Sequence, residues 1–178
     1  MKKVSSFILA ATLVLSLAGC GAGSGGDGTG NIGDTIHTAW FDFTVNSAYT
    51  APSYESYTPA EGNQMLVVEI TVQNTFEQST PMADFDFQAQ WGSDGEDDYA
   101  YPITDDDTEA GLPTLNDDQL PHYYELAVDE SCTGLLVYEV PDGNKDFSIS
   151  YQEVDEEETV GDMFFVYFPA EEGSTAAA

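Results

Sequence analysis

The sequence predicts an all-β domain, an immunoglobulin-like antiparallel β-sandwich of about seven to eight strands. Apolar and polar residues alternate with a period of two in several short segments, which is typical of strands with one buried face. Residues that favour turns separate these segments, and no segment shows the period of an amphipathic helix. Many short strands without crossover helices favour two packed sheets, with a closed barrel as the alternative.

The alternation is clearest in three segments of the first half of the chain. Phe41, Phe43 and Val45 alternate with polar residues, and residues 66–72 place Leu, Val, Ile and Val at every second position. Residues 85–91 repeat the pattern with Phe, Phe, Ala and Trp. Each segment therefore predicts a half-buried strand. A possible first strand precedes them at 32–38.

The second half of the chain predicts four more strands, at 123–128, 132–140, 147–151 and 163–168. Between the second and third of these, Pro141-Asp142-Gly143-Asn144 favours a tight reversal, because Asp and Gly are typical turn residues. Residues 99–103 are a candidate short strand.

An export signal precedes the strands. Two lysines near the start are followed by an apolar run of eleven residues, 7–17, and then by small residues before Cys20. This order is typical of a lipoprotein signal, which is cut between Gly19 and Cys20 before lipid is attached to the Cys20 thiol. A transmembrane anchor and an ordinary secretory signal are the alternatives, but the run is shorter than the roughly 20 residues of a spanning helix. We therefore expect a protein held by lipid on the outer face of a bacterial cytoplasmic membrane.

The composition divides the chain into four parts. Residues 1–19 are the predicted signal peptide, and residues 20–31 comprise the lipidated cysteine and a glycine-rich, flexible tether. Residues 32–168 form the predicted sandwich, a length that suits one domain with a substantial core. Residues 169–178 are predicted to be a disordered tail.

The chain is strongly acidic. It carries 33 acidic residues against three lysines, a formal net charge of -30, and it has no arginine. Two of the lysines lie in the predicted signal peptide, which leaves Lys145. Binding of nucleic acid or anionic lipid relies on Lys and Arg, so we expect no nucleic-acid partner. Cations, neutral sugars, basic peptides and other proteins remain candidate partners.

Residues 92–118 form a predicted loop with ten acidic residues and no basic one. Calcium takes several carboxylate oxygens as ligands, but the spacing does not fit an EF-hand, because Ala110 or Tyr99 stands where that loop needs glycine. We predict no cofactor and a solvated acidic loop, with a nonstandard calcium site as the alternative. Its ligands would come from Asp94, Glu96, Asp97, Asp98, Asp105, Asp106 and Asp107.

Four tyrosines are candidate ligand-binding residues, because Tyr offers rigid contact area with a polar end. Tyr54 and Tyr57 lie in a proline-containing segment that we expect to be exposed, and Tyr99 and Tyr101 lie within the acidic loop. Aromatic rings beside carboxylates suit a sugar or a cationic group. Packing across the sheets is the alternative role for these side chains.

No residue is predicted to be catalytic. His37 and His122 are the only histidines, neither has a metal-ligand spacing, and no G-x-S-x-G motif marks a serine nucleophile. Cys132 has acidic sequence neighbours instead of the cationic ones that activate a thiol, so we expect a half-buried, unreactive cysteine. We therefore expect that the protein is not an enzyme.

Several motifs run through the predicted domain. They are Gly33-Asp34-Thr35 before FDFTVNSA, EGNQMLVVEITVQNT at 61–75, ADFDFQ after it, and AVDESCTGLLVYEVPDGNKDFSISY at 127–151. Residues 32–154 thereby resemble the telokin-like, immunoglobulin-fold domain family of Gram-positive lipoproteins, itself similar in fold to a secreted mycobacterial immunoprotective antigen. The resemblance implies an immunoglobulin-like fold, a lipoprotein context and an unidentified ligand, and it carries over no site residues. The acidic loop and an added hydrophobic strand at 159–168 depart from the family.

The sequence therefore predicts a membrane-anchored extracellular lipoprotein with a non-catalytic binding domain. Its expected partners are the membrane, through the lipid anchor, and an unidentified extracellular protein or glycan. The alternative is a calcium- or cation-binding surface protein that uses the loop 92–118.

Overall fold

The computed structural model describes residues 28–92, 98–104, 111–154 and 159–173. The predicted signal peptide, Cys20 and most of the predicted tether lie outside the described residues. Within the described ranges, no helix is long and apolar enough to cross a membrane. The structure therefore bears on the predicted β domain.

Strands make up most of the described chain. A 3-10 turn at Asp84–Asp86 directly precedes the strand Phe87–Trp91. The strands are β1 (Thr29–Asn31), β2 (Thr35–His37), β3 (Phe41–Ala51), β4 (Asn63–Asn74), β5 (Thr80–Ala83), β6 (Phe87–Trp91), β7 (Tyr99–Ala100), β8 (Tyr123–Leu126), β9 (Ser131–Pro141), β10 (Asp146–Val154), β11 (Val160–Pro169) and β12 (Glu171–Glu172).

The strands form two main sheets. The first sheet has the order β1-β11-β10-β6-β7, and the second has the order β12-β3-β4-β9, with β2 also paired to β3. A separate antiparallel pair consists of β5 and β8. After β7 the chain leaves the first sheet, and Pro102 forms a bridge with Tyr138 of β9. The segment that follows β7 therefore connects the two sheets.

The two sheets bury one apolar core between them, and the predicted β-sandwich is confirmed. Phe41 and Phe43 of β3 meet the rings of the other sheet. The ring centroids of Phe41 and Tyr151 lie 4.7 Å apart, and those of Phe43 and Phe87 lie 5.4 Å apart, both in tilted, edge-on geometry. Such pairs add about 0.5–1.5 kcal/mol each beyond their buried area.

A smaller apolar cluster covers part of the outer face of the second sheet. Met65 and Val67 of β4 face away from the main core and pack with Tyr54, Ile103 and Val137. At this end β4 is therefore buried on both faces. A strand covered on both faces needs no polar positions, which explains the unbroken Met-Leu-Val-Val run at 65–68.

Glycine at position 134 lets a second chain segment lie against β9. A Cβ atom at Gly134 would lie 2.9 Å from both the backbone nitrogen and the Cδ2 atom of Leu120. Leu120 N donates a hydrogen bond to Leu135 O at 3.0 Å, and Leu135 N donates to Asp118 O at 2.8 Å. The segment that leaves the acidic loop is thus fastened to β9.

The predicted reversal after β9 is confirmed. Residues 142–145 connect β9 to β10, and Gly143 has a φ of 85°. Glycine adopts this left-handed conformation without a steric penalty, which is the physical reason for its place in the turn.

Several details differ from the prediction. Thr29–Asn31, assigned to the flexible tether, is β1 and runs parallel to β11. Glu171–Glu172, assigned to the disordered tail, is β12 and runs parallel to β3. These short pairings satisfy the exposed backbone of a neighbouring strand and need no apolar alternation, so the sequence does not reveal them. The sandwich is consequently not wholly antiparallel, and it has more strands than predicted.

Phe85 is a further correction. The predicted strand at 85–91 begins instead at Phe87, because Asp84–Asp86 forms the 3-10 turn. The Asp86 carboxylate accepts a hydrogen bond from the backbone nitrogen of Ala83 at 2.8 Å, which closes this turn. A local hydrogen bond from an Asp side chain here competes with strand formation.

Candidate ligand-binding site

A row of side chains crosses the outer face of the first sheet through all five strands. Directly paired residues of neighbouring strands project to the same face, so the register defines the row. The row spans four strand spacings, about 19 Å. Its members are, in order, Asn31, Tyr167, Ser148, Gln90 and Tyr99.

A second row lies beside the first, two residues away along each strand. Phe165 pairs with Ser150, and Ser150 pairs with Gln88. Tyr101 completes the row, because its hydroxyl oxygen accepts a hydrogen bond from Gln88 Nε2 at 2.6 Å. We call the two rows together the neutral face. It consists of Asn31, Gln88, Gln90, Tyr99, Tyr101, Ser148, Ser150, Phe165 and Tyr167.

The neutral face has the shape of a trough, with aromatic rings at both sides and small polar groups between them. Tyr167 is 51% exposed and Tyr99 is 45% exposed, whereas Ser148 and Ser150 are buried at 5% and 2%. The rings of Phe165 and Tyr167 are inclined by only 16°, with centroids 5.9 Å apart. They therefore form a stacked aromatic pair along β11.

The face carries no charge along its central part. On β10 and β11, the central part extends from the Gln152–Met163 pair to the Ser148–Tyr167 pair. Every described residue that points to this face between those two pairs is uncharged. Asp146, at the start of β10, is the first charged residue of that alternation. On a chain with a net charge of -30, an uncharged face is an exception to the general surface. Depletion of charge together with exposed aromatic rings is characteristic of binding surfaces.

A cavity of about 780 Å³ opens at the Asp146 end of the trough. Gln90, Ser148 and Tyr167 of the neutral face line it, together with Trp91. Its volume lies within the range of about 300–1,000 Å³ that is usual for small-molecule sites. The neutral face is therefore continuous with a concave site.

The structure separates the four predicted tyrosines into two pairs on different sheets. Tyr99 and Tyr101 belong to the neutral face, and their rings meet at 90° with centroids 5.8 Å apart. Tyr54 is only 6% exposed and lies in the cluster on the second sheet, where its hydroxyl accepts a hydrogen bond from Asn116 Nδ2 at 2.8 Å. The expected exposure of Tyr54 is therefore wrong.

Tyr57 is half-buried and helps to fix the same segment. Its hydroxyl donates to Glu139 Oε2, while Asn63 Nδ2 and the backbone nitrogen of Ala60 donate to Glu139 Oε1 at 2.7 and 2.9 Å. Burial by itself raises the pKa of Glu139, but these three hydrogen bonds outweigh it and lower the pKa. The Glu139 carboxylate thus holds the turn that contains Tyr57, Ala60 and Asn63. The sequence did not reveal this contact, because Glu139 is distant in the chain.

The calcium hypothesis rests mainly on residues outside the described ranges. Asp98 is the described one of the seven predicted ligands, and its backbone oxygen accepts a hydrogen bond from Trp91 N at 3.0 Å. Within the described residues, no group of three or more His, Cys, Asp or Glu side chains is placed to hold a metal ion. Six predicted ligands lie outside the described ranges: Asp94, Glu96, Asp97, Asp105, Asp106 and Asp107.

A buried carboxylate fixes the base of the acidic loop. Asp84 is 2% exposed, its Oδ2 atom accepts a hydrogen bond from the Thr104 hydroxyl, and its Oδ1 atom lies 3.0 Å from His122 Nδ1. Burial raises the pKa of Asp84, and the contacts with Thr104 and His122 oppose that rise. Asp84 therefore links the 3-10 turn to Thr104, within the acidic loop, and to His122, directly before β8.

The neighbouring Asp86 lines a cleft at the edge of the sandwich. The cleft has a volume of about 640 Å³, and its lining includes Trp40, Phe76 and Tyr151. Burial, and to a smaller extent the negative charge of Asp84, raises the pKa of Asp86 to about 6, against a hydrogen bond from Ala83 that lowers it. A carboxyl group with this pKa changes its charge near the pH of many natural environments.

The remaining candidate groups lie apart from the neutral face. His37 Nδ1 lies 2.9 Å from Asp42 Oδ1 across the β2–β3 pair. Cys132 is half-buried, as predicted, and burial, followed by the charge of Glu130, raises the pKa of its thiol. A raised pKa keeps the thiol protonated and is consistent with an unreactive cysteine.

Seven of the nine residues of the neutral face escaped the sequence analysis, all but Tyr99 and Tyr101. Ser148 and Ser150, and likewise Phe165 and Tyr167, occupy the outward positions of two correctly predicted strands. The available signal was that these outward positions hold hydroxyl and aromatic groups and no acidic residue in a strongly acidic chain. The pairing that joins them to Gln88 and Gln90 requires the sheet order.

Solved structures with similar folds include two Bacillus subtilis proteins. The yjhA protein is 22% identical with a TM-score of 0.56, and the match covers 77% of this chain and 97% of that one. A candidate lipoprotein, ycdA, is 15% identical with a TM-score of 0.53, and the match covers 74% of this chain. This chain spans only 37% of the length of ycdA. These likenesses show the fold alone.

No curated protein matches this chain significantly. A family model described as a domain of unknown function, DUF4352, matches residues 30–160. The match covers most of the chain, from β1 to the start of β11. The chain therefore belongs to the DUF4352 family.

Proposed function

We propose that this protein is a lipid-anchored, non-catalytic binding domain on the outer face of a bacterial cytoplasmic membrane, and that the neutral face is its binding surface. The carrying observation is the trough of exposed aromatic rings and uncharged polar groups on an otherwise acidic protein. Rigid aromatic side chains around a polar floor bind ligands at a low cost in conformational entropy.

The anchor is supported by the order of residues around Cys20, and the structural likeness to ycdA, a candidate lipoprotein, is in keeping with it. In the finer classification, the domain is a telokin-like, immunoglobulin-fold module of Gram-positive lipoproteins. The expected amino-terminal peptide from membranes begins at Cys20 and carries the mass of attached lipid. Mass spectrometry that finds an intact Met1 terminus, or an unmodified Cys20 thiol, would contradict the anchor.

The binding surface is tested in living cells with a photo-crosslinking amino acid. One variant carries it at Tyr99, on the neutral face, and a matched control carries it at Tyr123, which is 70% exposed and lies outside that face. We expect irradiation to shift the gel mobility of the Tyr99 variant much more than that of the Tyr123 variant. Equal crosslinking from both positions, or none from position 99, would refute the proposed surface.

A calcium-binding function of the loop 92–118 is the alternative proposal. It is supported by the ten acidic residues in that segment, because calcium prefers clustered carboxylate oxygens. Calorimetric titration of the full chain with calcium, with magnesium as the control, tests it. Heat of binding and a rise in Tm that calcium produces and magnesium does not would support the site. The absence of both at millimolar calcium would exclude it.

A further inference from the structure

We infer that the ligand of the neutral face is an uncharged oligosaccharide, a segment of a neutral polysaccharide chain that lies across the strands of the first sheet. The inference rests on the proposed function, because it assigns a ligand class to the same surface. Its basis is the juxtaposition of aromatic rings, amide groups and hydroxyl groups on a face without charge.

The aromatic rings supply the stacking surfaces that sugar rings need. A pyranose presents C–H groups on its faces, and these pack well against the electron-rich face of an aromatic ring. Tyr167, with Phe165 stacked beside it, stands exposed at one side of the trough, and Tyr99 stands exposed at the other side. Tyr167 and Tyr99 are three strand spacings apart, about 14 Å, which suits an oligosaccharide better than a single sugar ring.

The floor of the trough supplies hydrogen-bonding groups of both kinds. Sugar hydroxyls donate and accept hydrogen bonds, and so do the amides of Gln88 and Gln90 and the hydroxyl of Tyr101, whereas Ser148 and Ser150 lie buried between the strands' exposed side chains. Gln88 is oriented by its hydrogen bond to the Tyr101 hydroxyl at 2.6 Å. Gln90 is partly exposed and lines the cavity beside Ser148 and Tyr167, which places its amide within reach of a ligand there. Polar groups without charge bind sugars without the large desolvation cost of ions.

Charge decides between an uncharged ligand and a charged one. A polyanion would be repelled by a chain with a net charge of -30, and Lys145, which lines the adjoining cavity, is already paired with Glu172 at 2.9 Å. A cationic ligand would find its partners in the acidic remainder of the surface, because the central trough has no carboxylate. An uncharged ligand is therefore the one that prefers this face over the rest of the protein.

The test uses the full chain, purified in a detergent without a sugar headgroup, and isothermal titration calorimetry. The probes are two uncharged oligosaccharides, the hexamers of N-acetylglucosamine and of β-1,4-linked glucose, and one charged oligosaccharide, the hexamer of galacturonic acid. We expect at least one uncharged hexamer to bind, the charged hexamer to bind more weakly, and the affinity for the uncharged one to change little with salt.

Substitutions assign the binding to the neutral face. We expect Tyr167→Ala and Tyr99→Ala each to weaken binding about tenfold, since each removes one stacking ring. Gln90→Ala should also weaken it, whereas Tyr123→Ala, an exposed tyrosine elsewhere, should not. The replaced side chains are exposed, so we expect each variant to fold, and thermal unfolding of each variant checks this. Gln90→Ala removes no ring and provides a second measurement if a tyrosine variant unfolds.

The inference is overturned if neither uncharged hexamer binds at millimolar concentration, if the charged hexamer binds more tightly, or if the face variants bind as well as the wild type. Its failure is distinct from failure of the proposed function. Crosslinking from position 99 in cells, without affinity for the uncharged hexamers, would leave the binding surface in place and point to a protein partner.

Discussion

Tyr124 and Tyr138 both hold their hydroxyl groups away from solvent, but their hydrogen bonding differs. The Tyr138 hydroxyl donates to Phe87 O at 3.0 Å, whereas the buried Tyr124 hydroxyl has no partner among the described residues. Burial, with the nearby charges of Asp86, Cys132 and Asp84, raises the pKa of Tyr124 far above its ordinary value. A buried hydroxyl without a partner costs about 1–3 kcal/mol of stability.

We therefore expect opposite results from the same chemical change at these two positions. Tyr124→Phe should leave the free energy of unfolding unchanged or raise it by about 1 kcal/mol, because it removes an unsatisfied group. Tyr138→Phe should lower it by about 1–2 kcal/mol, because it removes a made hydrogen bond. Urea unfolding at pH 7 measures both. A larger loss of stability for Tyr124→Phe than for Tyr138→Phe would contradict this difference in hydrogen bonding between the two hydroxyl groups.

Asp86 makes a further prediction at the scale of one residue, and it concerns pH. Its carboxyl group has a pKa of about 6 in the folded chain against 3.8 for the unperturbed group, mainly because of burial. The folded state therefore binds a proton more readily than the unfolded state, and the contribution of Asp86 to stability is lost as the pH rises from about 4 through 6. Above pH 6 the ionised group destabilises the fold.

We expect Asp86→Asn to stabilise the chain by about 1–3 kcal/mol at pH 7.5, since about two pKa units correspond to at most about 3 kcal/mol. The amide oxygen of asparagine can still accept the hydrogen bond from Ala83. The gain should disappear at pH 3, where the carboxyl group is neutral in both states. Chemical unfolding across this pH range measures it, with the exposed Asp117→Asn as the control. A gain of equal size at pH 3 would refute the electrostatic cause.

At the scale of elements, the docking of the segment after the acidic loop against β9 depends on Gly134. We expect Gly134→Ala to destabilise the chain by about 1–3 kcal/mol, because the added methyl group would force Leu120 away from β9. Hydrogen exchange of the Leu120 and Leu135 amides should accelerate more than that of β11. Gly143→Ala, at a site with nothing close to a new Cβ, is the control for strain at a positive φ without displacement of Leu120. Unchanged protection at Leu120 would contradict the docking argument.

The strands show why the sequence predicted some elements and missed others. Phe41, Phe43 and Val45 alternate because one face of β3 packs on the core, and the pattern is therefore readable from the residues themselves. β1 and β12 are two or three residues long and attach to edges through their backbones, so no pattern of side chains announces them. Long-range pairing determines such elements.

In the candidate site, too, some residues could be predicted from the sequence and others depend on long-range strand pairing. Tyr99 and Tyr101 were predicted from residue type and from their position within the acidic loop. Phe165 and Tyr167 were assigned to a strand, but their proximity to Ser148 and Ser150 depends on the register between β10 and β11. Tyr54 was misjudged because a nearby proline indicates a loop and does not show what covers that loop.

At the scale of the whole molecule, the excess of acidic residues sets the response to salt. With a net charge of -30, mutual repulsion opposes the compact state, and salt reduces this repulsion because the screening length falls from about 30 Å at 0.01 M to about 3 Å at 1 M. We expect the free energy of unfolding to rise by something on the order of 1 kcal/mol or more over that range. Thermal unfolding in sodium chloride and in choline chloride measures it. A rise confined to one of the two salts would argue for a specific ion site instead of screening.

Because Thr29–Asn31 is a strand of the first sheet, the tether between the proposed lipid anchor and the domain is shorter than the predicted one. In the proposed lipid-anchored form, eight residues, 21–28, lie between Cys20 and Thr29, and even a fully stretched chain over these nine residue-to-residue steps reaches only about 30 Å. Because β1 borders β11, the tether ends at the same edge of the sheet that carries Phe165 and Tyr167. In the proposed anchored form, this edge of the sheet therefore stays within about 30 Å of the bilayer, and a ligand of the proposed binding surface has to come that close to the membrane.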